Sequence, residues 1–119
     1  MLLLNLSNRQ KFTVHMRIKR GWEFLRLKNY GVKRVTRSLV VYWLKNEYLT
    51  ARLGISLSKK YADAHERNLF KRRVRECFRQ RLAPFESQHD YFIIGRSRAH
   101  LLDLAALTKE LTYALQPPQ

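Results

Sequence analysis

The sequence predicts an α+β fold: one domain in which a four-stranded sheet is covered by helices, in the order helix, strands, helix, strand, helix. Three observations predict it. The chain has 119 residues, enough for one domain and no more. Several segments place apolar residues at helical spacing, and others are short, β-branched and aromatic, as strands are. The two types do not alternate regularly, which favours a single sheet layer with helices packed on it.

Residues 18–29 (IKRGWEFLRLKN) set Trp22, Phe24, Leu25 and Leu27 among basic residues and read as a short amphipathic helix, weakened by Gly21. Gly31 then marks a turn. Residues 38–45 (SLVVYWLK) read as a strand. In residues 52–58 (RLGISLS), Leu53, Ile55 and Leu57 point one way and Gly54, Ser56 and Ser58 the other. One sheet face is thus expected to be apolar core and the other small and polar. Segments 39–45 and 52–58 are expected to pair as an antiparallel hairpin with a loop around Asn46 and Glu47.

A longer helix is expected from Asp63 to Leu82. Asp63 can cap it, Glu66 three residues on completes a capping box, and Pro84 stops it. Residues 90–95 (DYFIIG) form another strand, and residues 102–115 align Leu104, Leu107, Leu111 and Leu115 on one helix face. Residues 1–119 form a single domain, with residues 1–17 read as a flexible basic arm and residues 116–119 as a frayed tail.

Lys and Arg total 24 against 9 Asp and Glu, a formal charge of +15. A compact chain so charged repels itself and is expected to bind a polyanion, most often nucleic acid. The charge is uneven: residues 1–81 hold 21 basic and 5 acidic residues, residues 82–119 hold 3 and 4. A surface charged for solubility has no reason to be so one-sided, whereas a binding face does. The single cysteine, Cys77, excludes an intramolecular disulfide and suits a reducing cytoplasm. The opening apolar run is too short for a signal-peptide core, and no stretch approaches the roughly 18–20 apolar residues of a membrane span.

The charge concentrates on the helix beginning at Asp63. At about 100° per residue from Arg67, Lys71 falls near 40°, Arg75 near 80°, Asn68 near 100°, Arg79 near 120° and Arg72 near 140°, one contiguous face. Phe70, Val74 and Cys77 lie between about 280° and 340°, with Phe78 near 20°, an apolar seam beside the basic stripe. Solvated charged faces usually mix signs to gain pairs four residues apart, yet Glu76 is the only acid after the first turn. The stripe is therefore read as phosphate-binding, with Cys77 as a core residue.

At these residues the sequence resembles the bacterial ribonuclease P protein subunit. RNLFKRRVR, Arg67 to Arg75, resembles the family pattern Arg-Asn-Arg-x-Lys-Arg-x-x-Arg, and RLGISLSKK before it resembles the family's strand ending in Ser-x-Ser-Lys-Lys. Phe24, Gly31, LVVY, Asp90 and YFIIGR fit in order, so the resemblance spans about Ile18 to Leu115. It implies that the basic helix lies in a left-handed βαβ crossover, against the usual hand. It also implies a protein that assists a catalytic RNA in cleaving precursor tRNA at the mature 5′ end. The catalytic groups and Mg²⁺ would belong to that RNA, and none to the polypeptide. The partners implied are ribonuclease P RNA and precursor tRNA, in the cytoplasm, with no membrane and no protein homo-oligomer predicted.

By motif position, Arg67, Asn68, Lys71, Arg72 and Arg75 would contact RNA, with Arg79 extending the stripe and Lys59 and Lys60 beside it. Phe24, Val40 and Tyr42 match the cleft that holds the single-stranded 5′ leader, where rings can stack on unpaired bases. Two positions depart from the pattern. The third motif residue, an arginine in the family, is Leu69, and Arg73 is the expected compensating contact. Lys28 stands where the family often has a second aromatic residue, which exchanges a stacking contact for a phosphate contact.

The scattered acids offer no DxD or ExxE pair for a Mg²⁺-dependent protein nuclease, and the four histidines show no metal-ligand spacing with Cys77. The alternative reading is a ribosomal-type or RNA-chaperone protein with no role in cleavage. A DNA-binding reading is disfavoured because no helix-turn-helix spacing precedes the basic helix.

Overall fold

The computed structural model describes residues 16–116. The elements are α1 (Gly21–Tyr30), β1 (Val32–Val35), β2 (Leu39–Lys45), β3 (Arg52–Leu57), α2 (Ala64–Arg79), β4 (His89–Gly95), a 3₁₀ turn (Ala99–Leu101) and α3 (Leu104–Ala114). The strands lie in the order β1-β2-β4-β3. β2 is antiparallel to both β1 and β4, and β3 is parallel to β4. Parallel neighbours need a long crossover, and α2 supplies it.

The expected hairpin between 39–45 and 52–58 does not form, because β4 lies between the two segments. Leu39–Lys45 pair with Gly95–His89 on one side of β4, and Arg52–Leu57 pair with Asp90–Gly95 on the other. β4 is buried on both faces, so it belongs at the centre of the sheet. The Arg52–Asp90 rung is locked by two hydrogen bonds, Nε and Nη2 of the guanidinium donating to the two carboxylate oxygens at 2.8 and 2.7 Å.

Two cores flank the sheet. On one face Leu39, Val41, Leu53, Leu57, Tyr91 and Ile93 pack under the α2 seam of Phe70, Val74 and Cys77 and under Leu107 and Leu111 of α3. On the other, Tyr42 and Phe92 are covered by Ile18 and by Leu27 of α1, with Phe24, Val40, Leu44 and Ile94 partly buried around them. A small, polar second face therefore holds for β3 alone. Gly54 has a packing reason: a Cβ there would overlap the ring of Phe24. At Gly31, a Cβ would sit 2.9 Å from the Trp43 carbonyl oxygen, so crowding, and not an unusual φ, favours glycine.

The start of α2 follows its capping box: Asp63 Oδ1 accepts from the Glu66 N–H at 2.8 Å, and Glu66 Oε1 accepts from the Asp63 N–H at 3.0 Å. The helix ends at Arg79, short of Leu82. Arg81 adopts φ 54°, and the Leu82 and Arg81 N–H groups close back on the carbonyls of Cys77 and Phe78 at 2.9 and 3.3 Å. This Schellman closure terminates the helix before Pro84 can. Cys77 is buried, its Sγ 3.2 Å from Thr108 Oγ1, and burial pushes its thiol pKa up. It is a core residue.

Most of the proposed basic arm, residues 1–15, lies outside the described residues, as do residues 117–119 of the tail. At residues 17 and 18 the chain is docked on β3: Arg17 bridges Leu53, and the Ile18 N–H donates to the Leu53 carbonyl at 3.1 Å. At the other end Gln116 offers its carbonyl to Arg34 at 3.3 Å.

Candidate nucleic-acid interface

The basic stripe of α2 is present, but its members are held differently. Asn68 and Arg72 are exposed, and Arg67, Lys71, Arg75 and Arg79 are half-buried. Arg67 Nη1 donates to the Ala62 carbonyl at 2.9 Å, which fixes that side chain across the helix start. Arg75 has its pKa lowered, first by burial and then by the nearby charges of Arg17 and Arg72. Cations crowded in this way are relieved by an anion. Arg79 is turned onto Glu76, with Nε and Nη2 donating at 3.0 and 2.7 Å. The last stripe position is therefore partly neutralised within the protein. Lys59 and Lys60 are exposed just after β3, and Lys60 Nζ lies 5.3 Å from the Tyr61 ring centre.

Arg73 does not lie with the stripe. Its Nη1 donates to the carbonyls of Leu102 at 2.8 Å and His100 at 3.4 Å. It staples α2 to the chain entering α3. The residue expected as a compensating contact thus has a structural role through its Nη1.

Phe24, Val40 and Tyr42 come together on the second sheet face. Phe24 packs on Phe92 with ring centres 4.7 Å apart, and Tyr42 stacks on Phe92 at 6.3 Å. Tyr42 and Phe92 form a floor that is largely covered, while Phe24, Val40 and Ile94 remain partly accessible. Two ammonium groups stand over this floor: Lys28 Nζ is 5.8 Å from the Phe92 ring centre, and Lys33 Nζ is 5.8 Å from that of Tyr42. The partly accessible ring of Phe24, packed on Phe92 among these cations, offers a base-stacking surface beside phosphate-binding charge.

The stripe and the cleft meet at the β3 edge. A cavity of about 190 Å³ there is lined by Arg17, Ile18, Phe24, Gly54, Lys71 and Arg75, among others. It joins a ring of the cleft to two cations of the stripe. Phe92, Lys33 and Arg17 were not singled out from the sequence. Alternation in DYFIIG was the available signal for Phe92, since Tyr91 and Ile93 share one face and Phe92 and Ile94 the other.

A buried charge network holds α1 over the cleft. Arg52 binds Asp90 on β4 and Glu23 on α1, and Asn46 Nδ2 adds a bond to Asp90 Oδ1 at 2.7 Å. Its guanidinium pKa is raised, chiefly by the hydrogen bonds to Asp90 and then by Glu23, against the opposing effect of burial. Glu23 and Asp90 are thus two carboxylates that the fold brings together, and an arginine already occupies the place a cation would take. Among the described residues, no group of three or more His, Cys, Asp or Glu side chains is placed to hold a metal ion. No helix among them is long and apolar enough to cross a membrane.

Comparison with known proteins gives a consistent result. Residues 12–118 match the family described as Ribonuclease P. The ribonuclease P protein component of Listeria monocytogenes is 35% identical over 101 residues, covering 84% of this chain and 85% of the relative. That of Streptococcus pneumoniae is 31% identical over 102 residues, covering 86% and 83%. Among solved structures, the Staphylococcus aureus RNase P protein superposes with TM-score 0.75 at 34% identity, covering 84% of this chain and 92% of that one. The Thermotoga maritima RNase P protein gives 0.69 at 27% identity, covering 82% and 96%.

Proposed function

The chain belongs to the ribonuclease P protein family, and from that premise we propose how it serves as the protein subunit of this ribonucleoprotein. The stripe of Arg67, Asn68, Lys71, Arg72 and Arg75 grips the phosphates of ribonuclease P RNA, with Lys59, Lys60 and Arg79 at its margins. The face built from Phe24, Val40 and Tyr42 holds the single-stranded 5′ leader of precursor tRNA. Here the leader meets Lys28 and Lys33 as well as rings, so its phosphates share the grip with its bases. The RNA partner supplies the catalytic groups and the Mg²⁺, and the polypeptide binds, orients and neutralises. The assembly acts in the cytoplasm.

One observation carries this reading: the cavity that sets Phe24 beside Lys71 and Arg75, so that an RNA strand on the helix and a strand in the cleft adjoin. Family membership sets aside the ribosomal-type and RNA-chaperone alternative. The test is reconstitution. The protein is mixed with ribonuclease P RNA and precursor tRNA at a Mg²⁺ concentration too low for the RNA alone, and 5′ cleavage is followed. Stimulation is expected, and it should fall in Arg72→Ala/Arg75→Ala through lost RNA affinity. Absence of stimulation by the parent protein refutes the proposal.

A further inference from the structure

The surfaces described so far gather at the β3 edge of the sheet and on the face beneath α1. A separate groove of about 760 Å³ opens at the opposite end of the strand order, where the turn after β1 and the chain after β4 meet α3. β1 and β3 are separated by three strand spacings, roughly 14 Å, before any side chain is counted.

The groove has two kinds of wall. Val35, Leu102, Ala106 and Tyr113 supply apolar surface, and Arg37, Arg96 and Lys109 supply charge. Its lining includes one acid, Glu110, whose Oε2 accepts from Thr36 Oγ1 at 2.7 Å and from the Ser38 N–H at 2.9 Å. That carboxylate is engaged with the β1–β2 turn, and the groove stays cationic. Arg96 is steadied by donating from Nη1 to the Thr36 carbonyl at 2.6 Å. Tyr113 is 59% exposed, while Leu107, Leu111 and Ala114 of the same helix fill the core. An exposed ring beside three cations is not explained by packing. Residues 82–119 hold only three basic residues, Arg96, Arg98 and Lys109. Two of the three line this groove, so what positive charge the C-terminal third possesses is concentrated here.

We propose that this groove is a second RNA contact, holding an unpaired stretch of RNA with a base against Tyr113 and its phosphates on Arg37, Arg96 and Lys109. Ring stacking with flanking cations is the chemistry by which single strands are held without sequence preference. RNA is favoured over an acidic peptide by concentration: once the α2 stripe is bound, neighbouring RNA reaches the groove within the same complex. The inference rests on the RNA-subunit reading and extends it to a surface that reading does not use. The strand belongs either to ribonuclease P RNA or to the precursor, and the chemistry recognised is the same.

The test uses the assembled complex of full-length protein, ribonuclease P RNA and precursor tRNA. 4-Thiouridine is placed in one RNA or the other, and crosslinked peptides are mapped. A crosslink to the peptide containing Tyr113 is expected, and the labelled RNA identifies the source. Arg37→Ala/Lys109→Ala/Tyr113→Ala should abolish it, weaken affinity for that RNA about tenfold, and reduce the salt slope by about 1.4, two cations at about 0.7 each for a single strand. All three side chains are exposed, so the variant should melt like the parent. The double variant Arg37→Ala/Lys109→Ala, which keeps the ring, should show the same fall in salt slope with a smaller loss of affinity and should retain the crosslink. Crosslinks confined to α2 and cleft peptides overturn the inference while leaving the main reading intact. Loss of the α2 crosslinks as well overturns both. Affinity within twofold and an unchanged salt slope in the triple variant overturn it, as does displacement of the groove crosslink by an aspartate- and phenylalanine-containing peptide at concentrations where RNA does not compete.

Discussion

Replacing Arg52 by alanine would remove the cation that holds two buried carboxylates. The guanidinium makes two bonds to Asp90 at 2.8 and 2.7 Å and a further one to Glu23. The three side chains are 11%, 5% and 7% exposed for Arg52, Asp90 and Glu23, so water can replace little of what is lost. Removing one partner of a buried ion pair costs about 3–5 kcal/mol. Asn46 remains on Asp90, and Arg52 is the most exposed of the three, which places the expected loss near the low end, about 3 kcal/mol. For a domain of this size that corresponds to a fall in Tm of roughly 10–20 °C. Urea unfolding followed by circular dichroism measures it. The companion variant Arg52→Ala/Glu23→Gln/Asp90→Asn removes the stranded charges and should recover part of the loss. A single-variant loss below about 1 kcal/mol, or a triple variant no more stable than the single, refutes the reasoning.

Four further outcomes are expected. Arg73→Ala should cost about 1 kcal/mol of stability by releasing the Leu102 carbonyl, and should leave affinity for ribonuclease P RNA within twofold, measured by filter binding alongside urea titration. Gly54→Val should drive the Phe24 ring from its place, and affinity for a precursor with a leader should fall toward that for one without, by about the 1–3 kcal/mol of a stacked base. Arg79 holds the Glu76 carboxyl below its usual range. Its contribution to stability is therefore present above the ordinary carboxylate pKa and lost as pH falls through the depressed value, and carboxyl titration by NMR should show Arg79→Ala returning it toward normal. Burial pushes the Tyr91 hydroxyl up to about 12. That contribution is full below the ordinary tyrosine pKa and is lost as pH rises toward the raised one, so the alkaline fall in urea midpoint should be smaller in Tyr91→Phe.

The features legible in the sequence were those set locally. The Asp63–Glu66 box and the seam of Phe70, Val74 and Cys77 lie within one helix, and a wheel suffices to find them. Strand partners were not legible, because they depend on residues far apart. Asn46 and Glu47 look like a hairpin loop, yet Arg52 pairs with Asp90, 38 positions away, and nothing local to 52–58 reveals it. The strand Val32–Val35 carries Lys33 and Arg34 in four residues, too short and too polar to stand out. The structural role of Arg73 was hidden for a related reason: a wheel gives a direction but not the carbonyls waiting there, and those of His100 and Leu102 belong to another element. In the candidate site, the stripe could be read residue by residue, whereas Phe92 and Lys33 joined the cleft only through the register of β2 with β4 and β1.

On the proposed reading, the cavity at the β3 edge has a consequence for how the two RNAs would be sensed. Lys71 and Arg75 belong to the helix stripe and also line the cavity that Phe24 lines. A cation already engaged with a phosphate of one strand is less available to neutralise, and so to release a counterion from, a phosphate of the second. The assembly's total salt dependence would then be smaller than the sum of its parts, and the leader's apparent affinity would be a property of the loaded protein, not of the cleft alone.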